Sequence, residues 1–202
     1  MYEFNTTEQN LGKANDFETK AMLYLMSFRA DSKNITIFFI DCFNDTTGAD
    51  DDILSLWDVQ AKNVSSLRPK TIGECLITLF QNYISEIDFF EYILFIPKLK
   101  EVYLKNEELL EFKVDNFKEN YKENIIIGLE TEYIRRNKDR VLKDNDLRIK
   151  IEEFIEIVIF VVGKKEKAIY DCFYHPLSPP SPNPLSLDPL NPESDISLTY
   201  SP

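Results

Sequence analysis

A chain of 202 residues with 44% hydrophobic content can bury one ordinary core, with or without an appendage, and 35 acids against 23 Lys and Arg leave a formal charge of -12. That balance argues against a surface attractive to polyanions over its whole extent. Three scattered cysteines, Cys42, Cys75 and Cys172, suit neither a disulfide framework nor a zinc site and predict a reducing, cytoplasmic setting. No signal-peptide pattern occurs and no apolar run approaches the roughly 18 residues of a membrane helix, so a soluble chain without membrane contact is expected.

Residues 1–15, rich in Asn, Thr and Glu, predict a loose leader. From Asp16, a candidate N-cap, the apolar positions Phe17, Ala21, Met22, Leu25, Met26 and Phe28 recur at three- and four-residue steps and predict an amphipathic helix over 16–30. "ITIFFI" (35–40) predicts a buried strand, the acidic "DCFNDTTGADDD" a loop, and 53–62 a second strand pairing with the first as an antiparallel hairpin. Ile72, Leu76, Leu79, Phe80, Tyr83, Ile84 and Ile87 predict a helix over 71–87, with Thr71 and Glu74 placed as a capping box. "FFEYILFI" (89–96) then predicts a strand parallel to its predecessor, because a strand, helix, strand succession crosses over. Residues 106–160 are charged and mostly helical in pattern, and "FIEIVIFVV" (154–162) fits either a buried helix end or a strand. The last segment, 174–202, is rich in Pro and Ser and predicts an extended or disordered tail. The predicted organisation is thus a leader (1–15), an α/β core (16–105), a helical extension (106–173) and the tail.

The residues that carry chemistry converge on one stretch, "LWDVQAKN" (56–63). On a strand, Asp58, Gln60 and Lys62 share one face while Trp57, Val59 and Ala61 share the other. A solvated edge face is the ordinary explanation for such a polar row, and turn formation the ordinary one for Asp41 and Asp45. Gln60 is the more telling position, because an amide entering the core needs a partner. A hard cation such as Mg²⁺ (or Mn²⁺) needs only a carboxylate or two besides water and substrate phosphate, and Asp45, the Gln60 side-chain oxygen and the Ala61 carbonyl are candidates to supply its site. Lys62 is placed to orient a water and stabilise charge on a phosphate, and Glu18, on the preceding helix, is a candidate further carboxylate.

"NDFETKAMLYLM", "IDCFNDTTG" and "WDVQAKN", in that order, resemble the PD-(D/E)XK nucleases of restriction-endonuclease-like fold. More narrowly they are similar to the N-terminal dsDNA-endonuclease domain of bacterial anti-phage effectors, those that accompany cyclic-oligonucleotide signalling enzymes and ABC-ATPase-like complexes. The resemblance spans about residues 11–105. It implies a mixed sheet flanked by helices and a metal-dependent DNA nuclease. Asp45 would be the principal metal carboxylate, Gln60 the second metal-side residue, Lys62 the catalytic lysine, Asp41 the preceding acid and Glu18 the helix carboxylate. Asp50, Asp51 and Asp52 stand as alternatives to Asp45 at the metal. DNA, together with a protein partner subunit or a second copy of the chain, is the implied set of partners, and a non-catalytic nuclease-like interaction subunit is the rival reading.

Other chemistry is weakly signalled. His175 is the single histidine and sits where the Pro-rich tail begins, which argues against Ser-His-Asp or Cys-His catalysis. No Gly-rich phosphate loop occurs. The cations at Lys98, Lys100 and Lys105, and at Arg135, Arg136, Lys138, Arg140 and Lys143, are interspersed with acids and read as solvated helix faces.

Overall fold

The computed structural model describes residues 12–64, 66–137 and 144–162. In chain order they form α1 (Gly12–Ser27), β1 (Ile37–Ile40), β2 (Thr46–Ala49), β3 (Leu56–Ala61), α2 (Pro69–Cys75), α3 (Ile77–Tyr83) and β4 (Glu91–Ile96). There follow β5 (Glu111–Phe112), α4 (Glu119–Arg136), α5 (Asp144–Ile157) and β6 (Ile159–Val162). All the strands join one six-stranded sheet in the order β1-β2-β3-β4-β6-β5. β3, β4 and β6 run parallel, while β1, β2 and β5 pair antiparallel with their neighbours. The parallel members "EYILFI" and "IFVV" are continuous apolar runs, as strands covered on both faces must be.

Helices flank both faces. α1 covers one with Phe17, Ala21 and Leu25, packed on Trp57, Val59, Ala61, Ile93, Phe95 and Val161. The other face carries the larger core, where α2 to α5 bring Ile72, Leu79, Phe80, Leu129, Ile151 and Phe154 onto Leu94, Ile96 and Phe160. α2 and α4 cross at backbone distance. A Cβ on Gly73 would lie 2.0 Å from the Ile125 carbonyl oxygen and one on Gly128 2.0 Å from that of Lys70, so both positions admit only glycine. On the α1 side, Arg29 is buried and pairs with Asp31 at 2.8 Å and with Glu91 at 2.5 Å, while Trp57 Nε1 donates to Asp31 at 3.1 Å. Tyr24 donates to Glu111 beside them, which ties α1 to β3, β4 and β5.

Several sequence expectations are corrected. The strands at 35–40 and 53–62 do not pair with each other: β2, read from sequence as acidic loop, lies between them and pairs with both. Its four residues, "TTGA", are too few to show alternation, and Gly48 is needed there because a Cβ would meet Ile35 Cγ2 at 2.7 Å. α1 starts at Gly12, so Asp16 lies within the helix instead of capping it, and 12–15 belong to the helix and not to a leader. The helix over 71–87 is two, interrupted at Leu76 and finished by Tyr83. Its start is set by Pro69 in the first turn, with Arg68 as N-cap, and the Thr71 and Glu74 capping box does not form. The passage 154–162 is both alternatives in succession, the end of α5 and then β6. β5 and β6 carry the sheet past residue 105, so the 106–162 part is not a helical annex but completes the same sheet. The Pro-rich tail, Cys172, His175, Lys138, Arg140 and Lys143 fall outside the described residues.

A candidate active site at the carboxyl end of β3

β3 is the third of the six strands, and its polar row lies inside the molecule: Asp58 is 0% and Gln60 2% exposed. The solvated edge face is therefore excluded for both. They project toward α3, opposite Trp57, Val59 and Ala61, which enter the α1-side core. Each buried group has assembled partners. Asn44 Nδ2 donates to both Asp58 oxygens at 2.9 Å and Asn82 Nδ2 to one of them at 2.7 Å. Burial still prevails over these bonds and pushes the Asp58 carboxyl up to about 6.

Gln60 links two elements. Thr78 of α3 donates to its amide oxygen, and its amide nitrogen donates to Asp45 Oδ2, which also accepts the Ala61 N–H at 2.7 Å. Asp45, Gln60 and Ala61 thus come together, because Asp45 precedes Thr46 and Thr46 is level with Val59 in the β2–β3 register. Burial raises the Asp45 carboxyl above its ordinary range. The Lys62 ammonium, the Ala61 N–H and the Gln60 amide pull it back, and Asp41 adds to the rise. Lys62 therefore stands within electrostatic reach of Asp45, on the strand's outgoing end.

Glu18, Asp41 and Asp45 share a cleft of about 230 Å³ between α1 and the β1–β2 turn, whose other walls are Thr19, Met22, Ile40 and Thr46. Asp41 is held there by the turn itself. It adopts a left-handed backbone (φ 55°), which Asp tolerates better than most residues, and its N–H faces the Asp45 carbonyl at 3.4 Å. The alternatives Asp50, Asp51 and Asp52 lie at the opposite end of the sheet, where Ala49 is level with Leu56. Asp50 builds that turn by accepting the Leu54 and Ser55 N–H groups at 2.8 and 3.1 Å, and Asp51 accepts the Thr36 hydroxyl at 2.6 Å. These acids are turn formers, too distant for the Asp45 cleft.

The donor set fits a hard cation in part. Asp45 Oδ1 accepts no hydrogen bond from a described residue, the carboxylate is buried enough to favour a cation beside it, and Asp41 and Glu18 line the same cleft. The Gln60 oxygen is engaged by Thr78, so in this arrangement Gln60 props Asp45, and ligation would require its amide to turn over. Among the described residues no three Asp, Glu, Cys or His side chains gather closely enough to hold an ion by themselves.

Sequence reasoning missed Asn44, Thr78 and Asn82, the groups that make the polar row tolerable. A signal existed for two of them: Thr78 and Asn82 are four apart, so a helix presents them on one face beside the apolar Leu79 and Phe80. No helix among the described residues is long and apolar enough to cross a membrane. No family model, no curated protein and no solved structure matches the chain.

Proposed function

We propose that the sheet is of restriction-endonuclease-like type and that the chain is a metal-dependent DNA nuclease of PD-(D/E)XK kind, serving bacterial anti-phage defence within a complex. The observation that carries this reading is the junction of Asp45, at the head of β2, with Gln60 and Ala61 at the end of β3, and Lys62 next in line. The succession α1, β1, β2, β3, α2, β4, with β3 and β4 parallel, supports it.

In this reading Asp45 and the Ala61 carbonyl would hold Mg²⁺ (or Mn²⁺), which would supply Lewis-acid polarisation of a phosphoryl oxygen and a more acidic water. Lys62 stabilises the negative charge that grows on the phosphate. Gln60 and the Ala61 N–H fix the Asp45 carboxylate, and Thr78 fixes Gln60. Asp41 and Glu18 offer carboxylates at the cleft wall to hold water or complete the cation's surroundings.

The test is cleavage of plasmid and linear DNA in Mg²⁺ or Mn²⁺ by the parent, Lys62→Ala and Asp45→Ala. Removal of either group is expected to lower the rate at least about a hundredfold, the loss seen when one transition-state stabiliser is deleted. Equal cleavage by all three folded proteins overturns the site. A non-catalytic nuclease-like subunit is the second reading, favoured by the engagement of the Gln60 oxygen with Thr78. It predicts no cleavage by any of the three.

A further inference from the structure

The overall charge of -12 is unevenly distributed, and the distribution separates two kinds of cation. On α4 and α5 each described cation meets a carboxylate. Arg135 and Arg136 reach Glu132 at 2.6 and 2.7 Å, and Arg148 reaches Glu123 and Glu152 at 2.8 and 2.7 Å. Lys122 and Lys150 meet Glu156 and Glu153 at 2.5 and 2.8 Å.

The carboxyl ends of β3 and β4 are the opposite case. Ala61 is level with Phe95, and the Lys62 N–H donates to the Phe95 carbonyl at 2.9 Å, so the segments that follow the two strands leave the sheet side by side. Segments 61–73 and 96–106 carry six cations, Lys62, Arg68, Lys70, Lys98, Lys100 and Lys105, against one acid, Glu101. Arg68, Lys70, Lys100 and Lys105 are exposed and make no ion pair with a described residue. Lys98 has only a 3.4 Å contact with Glu101, both side chains being more than half exposed. These cations do not form the solvated helix face expected from sequence: Lys98 and Lys100 lie in irregular chain beyond β4, and Lys105 beyond a short helical turn. The acidic turn at 50–52 occupies the other end of the sheet.

We propose that this rim is a phosphate track, across which a nucleic-acid backbone is held by Arg68, Lys70, Lys98, Lys100 and Lys105 and led past Lys62 toward the Asp45 cleft. The identity of the polyanion rests on the nuclease reading; the existence of an anion-binding rim rests on these exposed cations alone. An anionic membrane is the less suitable partner. Leu99, between the two lysines, is buried, and the segment's exposed large apolar side chain is a single valine, Val102, too little to anchor it in lipid. The track also removes the need for a partner subunit to supply all the grip on DNA, since local charge, and not the net charge, governs contact within a Debye length of about 8 Å.

The test is binding of a labelled 30-bp DNA duplex to the full chain in EDTA, followed by anisotropy over a salt series. The slope of log K against log salt is expected at about -4.5 to -5.5 for five or six phosphate contacts. Lys98→Glu with Lys100→Glu, and separately Arg68→Glu with Lys70→Glu, should each weaken binding at least about tenfold and flatten the slope by about 2. Lys150→Glu, on α5, should change it less than twofold. Thermal melts establish that the variants fold; all the substituted side chains are exposed. The proposal is overturned if the parent does not bind, if rim reversal leaves affinity unchanged, if Lys150→Glu weakens binding equally, or if vesicles containing phosphatidylglycerol bind through the same rim while the duplex does not. Adding Mg²⁺ separates the two claims. Binding through the rim without cleavage sinks the nuclease reading and leaves the track standing; cleavage at equal rates by the parent and both rim variants does the reverse.

Discussion

The two faces of β3 are buried to nearly the same degree and are stabilised differently. Toward α1, Trp57, Val59 and Ala61 are 3%, 0% and 6% exposed and gain directly from leaving water. Toward α3, Asp58 and Gln60 are as deeply enclosed, but their burial is unfavourable until Asn44, Asn82, Thr78 and Asp45 complete their hydrogen bonds. An apolar face of this kind is a matter of volume. A polar one is a matter of partners, and these come from two other elements: Asn44 and Asp45 from the β1–β2 turn, Thr78 and Asn82 from α3. That dependence is what fixes Asp45 against the end of β3.

The largest effect is expected from the apolar face. Trp57→Ala removes a buried ring and its bond to Asp31 and should cost about 3–5 kcal/mol in urea unfolding. A loss under 1 kcal/mol would mean that this face is not a packed core. The polar face should instead show itself through pH. Asp58 holds its proton more tightly folded than unfolded, its carboxyl rising from an ordinary 3.8 to about 6. Its contribution is therefore fully present below about pH 4 and is lost as pH rises through about 6, on the order of 2–3 kcal/mol in all. The stability of the parent relative to Asp58→Asn should fall by that amount between pH 4 and pH 7, and a constant difference would show that Asp58 titrates normally. The smallest effect is expected for Thr78→Val, which keeps the shape and leaves the Gln60 oxygen without its donor. A loss of about 1–2 kcal/mol is expected from unfolding curves. No measurable loss would place Gln60 in contact with solvent and free its oxygen for a cation, which sharpens the choice between prop and ligand.

Much of the architecture is legible along the chain. The parallel pair β3 and β4, the helix ahead of the first strand and the helical crossover all announce themselves through periodicity, since runs such as "EYILFI" leave few alternatives. The same holds for the row Asp58, Gln60 and Lys62, whose common side follows from strand alternation alone. β2 does not announce itself, because four residues with a glycine look like the loop around them. Nor does the break at Leu76, where only contact with α4 through Gly73 reveals how α2 must lie.

Sequence by itself therefore determined the class of fold, the membership of the polar row and the candidate set Glu18, Asp41, Asp45, Gln60, Ala61 and Lys62. Tertiary structure alone decided which acid of the 41–52 stretch meets Gln60, that Gln60 offers Asp45 a donor, and that the segments carrying Lys62 and Lys98 leave the sheet side by side. The reason is physical: alternation and helical period are properties of neighbouring residues, whereas strand register, the satisfaction of a buried amide and the pairing of a surface charge depend on groups brought together from distant parts of the chain.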